Sequence, residues 1–127
     1  MEKARQHPAL TMAQGGWHIL REEGALTLAR HLPARFDLSV RAGFPAARKR
    51  RLAQQIRQDL WRELQQIRGF SPVIRVEAEG AGLVVTAGGR AARPFPKARA
   101  ETRIAALLAS PAHRARWLAH AQERQPA

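Results

Sequence analysis

The chain has 127 residues, 45% of them apolar, and carries 22 Lys and Arg against 10 Asp and Glu, a formal charge of +12 at pH 7. That length gives one domain a core without covalent staples, and the absence of cysteine excludes disulfides, thiolate catalysis and Cys-ligated zinc. The charge excess goes beyond what solubility requires and points to a polyanionic partner.

Residues 1–16 mix charge with Pro8 and a Gly15-Gly16 pair and read as a flexible N-terminal tail without the apolar stretch of a secretory signal. No run of about 18 apolar residues follows, so no membrane span is predicted and a cytoplasmic location is expected. From Trp17 to Leu32, the spacing of Ile19, Leu20, Leu26, Leu28 and Leu32 predicts a short helix stopped by Pro33. Gly24 inside it costs about 1 kcal/mol against alanine. Next, Phe36, Leu38, Val40 and Ala42 alternate with Arg35, Asp37, Ser39 and Arg41, the period of a strand with one buried face.

Gly43 and Pro45 close that strand and open a long helix, with proline suited to a first-turn position whose amide is unpaired anyway. Leu52, Ile56, Leu60, Leu64 and Ile67 form its apolar stripe, and Gly69 follows as a stop. Ile74, Val76 and Ala78, then Leu83 to Ala87, predict a hairpin around Gly80-Ala81-Gly82. Residues 88–96 read as an exposed loop, residues 97–109 as a helix burying Ile104, Leu107 and Leu108. Ser110-Pro111 then caps and starts a last helix that turns Trp117 and Leu118 inward. The expected fold is α+β: a three-stranded sheet of strand, long helix and hairpin, with helices packed on one face. Residues 17–123 form the domain and 124–127 a C-terminal tail. The first strand can pair with either the second or the third.

Signs of catalysis are weak. His7, His18, His31, His113 and His120 lack the spacing of a metal-binding helix, and no serine sits in a nucleophile elbow. Phosphate-loop glycine patterns are absent, although Gly88-Gly89-Arg90 offers permissive backbone to an anion. Glu77 and Glu79 share a strand face with Arg75, which suits a solvated sheet surface better than an acid/base pair. Asp59 and Arg62 read as an ordinary solvated pair. A non-catalytic protein without metal or cofactor is expected.

The charge concentrates between residues 35 and 68, where nine basic side chains face three acidic ones. Arg48, Lys49, Arg50 and Arg51 fall in the first turn of the long helix, where unpaired amides already carry partial positive charge. A bound phosphate reverses that repulsion by meeting both amides and guanidinium groups. On a helical projection Arg50, Gln54, Arg57, Trp61 and Arg68 form one strip beside the apolar stripe, with Trp61 a candidate for stacking on a base. Arg90, Arg93, Lys97 and Arg99 supply a second basic region that joins the first if the loop lies near the start of the helix. The expected function is binding of RNA or DNA through phosphate contacts; the alternative is an interaction module docking its basic helix on an acidic protein surface.

Overall fold

The computed structural model describes residues 10–122; residues 1–9 and 124–127, expected to form tails, lie outside that range. The first part of the chain folds back twice, as β1 (Leu10–Gln14), β2 (Trp17–Glu22) and β3 (Ala25–Ala29). Residues 10–14, expected in the tail, are therefore a strand. The helix expected from Trp17 to Leu32 is a β-hairpin whose two-residue turn is Glu23-Gly24, with Glu22 opposite Ala25. Gly24 takes φ 75°, a conformation in which a Cβ is strained, so the residue that weakened the helix is what makes the turn. All five residues of β3 are buried, so the alternation that marks a half-exposed strand is missing.

The remaining elements are β4 (Leu38–Phe44), α1 (Lys49–Leu64), β5 (Ser71–Glu79), β6 (Gly82–Arg90), α2 (Lys97–Ala109) and α3 (Pro111–His120). The α+β class holds, but the sheet has six strands rather than three, in the order β1-β2-β3-β5-β6-β4, with every neighbouring pair antiparallel. β4 thus pairs with the second strand of the hairpin, the later of the two partners open to it. The long helix is shorter than its stripe suggests. Arg48 stays extended as its N-cap, donating its backbone N–H to Ala121 O at 2.8 Å. At the other end, bonds from Ile67 N to Leu64 O and from Phe70 N to Ile67 O tighten the chain before β5.

α1 lies across β3 and β5, and α2 across β4 and β6. Leu52, Ile56, Leu60 and Leu64 of α1 join Leu26, Leu28, Ile74, Val76, Val85 and Ala87 in a single apolar core. Trp117 of α3 is fully buried and tilts against Phe44, with ring centroids 6.3 Å apart. Burial of an indole removes roughly 150–250 Å² from water, about 4–6 kcal/mol of hydrophobic stabilisation. The start of α3 follows the expected pattern, since Ser110 Oγ accepts from the His113 backbone N–H and Pro111 opens the helix. On the opposite sheet face Arg75 donates to Glu22 at 2.7 Å and Thr27 at 3.1 Å and lies 3.6 Å from Glu77.

Gly88 and Gly89, expected in a loop, are strand residues of β6. They are glycines because neighbouring strands come too close for a side chain: a Cβ at Gly88 would run into the Leu38 carbonyl oxygen, and one at Gly89 into that of Ser71. Gly88→Ala is expected to cost about 2–3 kcal/mol by prising β4 from β6, measured as a lower denaturant midpoint. An unchanged midpoint would contradict this packing.

Candidate functional site

The helix-facing side of the sheet ends in a pocket of about 780 Å³. Its inner surface is aromatic. The hairpin register sets His18 opposite Ala29, so one step further along Trp17 and Arg30 become neighbours. The Arg30 guanidinium lies 5.6 Å from the Trp17 ring centroid, and Arg57, reaching down from α1, lies 4.6 Å from the same centroid. One turn later on α1, Trp61 stacks on Phe70 with planes 8° apart and centroids 6.4 Å apart, yet remains 43% exposed. Phe70 itself is buried beneath it. Arg90, at the end of β6, donates from Nη2 to Pro33 O at 2.7 Å, and His31 and Arg35 complete the basic lining.

Four arginines and a histidine line this pocket, and among the described residues no carboxylate does. Several acidic side chains are engaged elsewhere. Asp59 takes Arg62 and Arg116, Glu63 takes Arg103, Glu22 takes Arg75, and Glu101 accepts from the Ser39 backbone amide of the edge strand. Asp37 meets Arg35 at 3.1 Å and accepts from the Ala91 N–H at 2.9 Å. The Arg35 and Ala91 hydrogen bonds hold the Asp37 carboxyl below its usual value against a smaller opposing effect of burial. Arg35 is thereby compensated, whereas Arg30, Arg57 and Arg90 have no carboxylate partner among the described residues.

The consequence falls on Arg57. Burial lowers its pKa and the charge of Arg30 lowers it further. Arg57 Nε and Arg90 Nε are both enclosed without an acceptor. An enclosed donor left unpaired costs about 1–3 kcal/mol, and two at one pocket mark a place where an incoming acceptor is stabilised. Guanidinium forks suit oxyanions, and the exposed indole of Trp61 offers a stacking plane.

The structure distributes the other sequence candidates. Arg57, Trp61 and Arg90 meet in the pocket. Arg48, Arg50 and Arg51 line a second cleft of about 530 Å³ with Gln54, Gln55 and His120. Lys49 is half-buried beside them in the first turn, which contains no acidic residue. Arg68 and Arg99 share a third cleft, about 310 Å³, with Phe95 and Arg103. Arg93 and Lys97 are exposed outside these three clefts. The strip seen on the helical projection is therefore divided, with Arg50 and Gln54 at one cleft and Arg57 and Trp61 at another.

The loop after β6 meets the end of α1, with Ala92 N donating to Arg68 O at 2.9 Å, and not its beginning. The second basic region therefore lies by Arg68, apart from the cleft that holds Arg48, Arg50 and Arg51. Sequence reasoning missed Trp17, Arg30, His31 and Arg35. Their signal was available once Glu23-Gly24 was read as a turn, since a tight hairpin aligns Trp17 with Arg30.

Asp59 departs most from its expected role. It is buried, not solvated, and its Oδ2 accepts from Trp117 Nε1 and from Arg116 Nη2, each at 2.7 Å, while Oδ1 accepts from Arg62 at 3.1 Å. Burial alone pushes its carboxyl up, but the Trp117 and Arg116 hydrogen bonds and the charges of Arg116 and His113 outweigh that and leave it lowered. Three donors on one carboxylate make it a structural anchor.

Among the described residues no three His, Asp or Glu side chains converge as metal ligands, and no helix is long and apolar enough to cross a membrane. Comparison with family models, with curated proteins and with solved structures found no match.

Proposed function

We propose that this protein binds single-stranded nucleic acid through phosphate contacts, without catalysis, using the aromatic-arginine pocket as its main site and the two smaller basic clefts as auxiliary contacts. The observation that carries the reading is the pocket's composition: Arg30, Arg57 and Arg90 without a carboxylate partner, beside a Trp61 that is 43% exposed although it stacks on a buried phenylalanine. Guanidinium groups left uncompensated by the protein's own acids favour an external anion. A stacking plane next to them favours an anion that carries bases. Single strands suit the site because their bases are free to splay onto an indole, whereas a duplex keeps them paired and stacked.

The test is a titration of fluorescent oligonucleotides of unrelated sequence between 50 and 300 mM salt. Binding is expected at every sequence, weakening linearly in log–log coordinates as several counterions are released. Absence of oligonucleotide affinity at physiological salt would favour docking on an acidic protein instead.

A further inference from the structure

We infer that the pocket receives the phosphorylated end of a strand, with the terminal phosphate monoester held by Arg30, Arg57 and Arg90 and the adjoining base laid on Trp61. This inference rests on the proposed nucleic-acid binding and names the part of the strand that the pocket takes.

An internal phosphodiester brings one negative charge to a site, whereas a terminal monoester brings close to two at neutral pH and a third free oxygen. Arg30 and Arg57 share the ring of Trp17, at 5.6 and 4.6 Å from its centroid, and Arg90 lines the same pocket. Three cations gathered in one pocket repel one another, and among the described residues no carboxylate lines it to offset them. One phosphodiester leaves most of that repulsion in place. A dianion offsets more of it, and its three oxygens can accept from three guanidinium groups at once.

Geometry agrees with charge. Arg48, Arg50 and Arg51 lie at a separate cleft along α1, and Arg68 and Arg99 at another. Contacts to an extended backbone are thus available elsewhere, whereas the pocket concentrates its cations. Its volume of about 780 Å³ is ample for one nucleotide. Trp61 stands one helical turn from Arg57 and lines the same pocket, so a phosphate and its neighbouring base can be met from one face of the helix.

The experiment compares one 12-nucleotide sequence as a hydroxyl-ended strand, as strands phosphorylated at the 5′ or the 3′ end, and as a closed circle, by calorimetry at 150 mM salt. A strand phosphorylated at one of its ends is expected to bind at least 10-fold tighter than the hydroxyl-ended and circular forms. Arg57→Gln is expected to weaken all four forms, the phosphorylated strand most, and so to bring that ratio to about 1. Arg90→Gln, reached from a different element, is expected to lower the ratio in the same way and serves if the first variant folds poorly. Equal affinity of all four forms for the wild-type protein would overturn the strand-end assignment and leave general nucleic-acid binding standing. No affinity for any of them would remove both. A nucleoside monophosphate binding as tightly as the phosphorylated strand would show that the pocket takes free nucleotides, and this too would overturn the assignment.

Discussion

Replacement of Asp59 by alanine is expected to destabilise the fold by about 2–3 kcal/mol, lowering Tm by roughly 10 °C for a domain of this size. The loss comes mainly from one partner. Arg62 and Arg116 are 67% and 47% exposed at their side chains and can turn to water when the carboxylate is removed, so their pairs contribute modestly. Trp117 is fully buried and has no such alternative, and its indole N–H would remain enclosed without an acceptor in the middle of the core. Asp59→Asn keeps an acceptor and is expected to cost only about 1 kcal/mol.

The pH dependence of this contribution has a definite sign. The folded-state pKa of Asp59 is depressed, so its stabilisation is fully present above the unfolded value near 4 and is lost as pH falls through the folded one. The stability difference between wild type and Asp59→Asn is therefore expected to shrink as pH falls below about 4. Asp37, also depressed, titrates in both proteins and cancels from the difference. Calorimetric or denaturant unfolding as a function of pH checks both statements. An Asp59→Ala variant within about 0.5 kcal/mol of wild type would show that the anchor is dispensable.

At the pocket, Arg57→Glu is expected to weaken oligonucleotide binding about 50-fold with little change in Tm. Loss of a hydrogen bond to a charged group accounts for about 1.5–3 kcal/mol, or roughly 10- to 150-fold. The introduced carboxylate also pairs with Arg30, which removes a second cation from the site. Trp61→Ala is expected to cost about 10-fold, the low end of what one stacked base contributes. Reversal of Arg21 or Arg41, both exposed and outside the three clefts, changes only the general field and is expected to cost about 2- to 3-fold each. Similar losses at all four positions would mean that net charge, not the pocket, governs binding.

The helices and the hairpin could be read from the sequence because each has one buried and one solvated face. The stripe of Leu52, Ile56, Leu60 and Leu64 and the alternation of Ile74 and Val76 with Arg75 and Glu77 follow directly from that asymmetry. β3 lacked the signal: Ala25–Ala29 are covered on both faces, and their neighbours happened to space leucines as a helix does. Losing β2 and β3 also lost the strand ends that carry Trp17 and Arg30, and with them half of the pocket. Arg57, Trp61 and Arg90 were identifiable as chemistry-bearing residues, but not as one site. Their convergence depends on a sheet order in which β5 joins β3 to β6, a long-range pairing that local pattern does not encode. Helical projection alone misgrouped Arg50 with Arg57, because packing across the sheet turned one stretch of the strip toward α3 and the next toward β2 and β3.

The central claim is that Arg30, Arg57 and Arg90 meet phosphate, and it is tested most directly by the salt dependence of oligonucleotide affinity in the wild-type protein and in a variant with all three replaced by glutamine. A shallower log–log slope is predicted for the variant, because fewer counterions are released once these three cations no longer meet phosphate. An unchanged slope in a variant that folds like the wild type would contradict it.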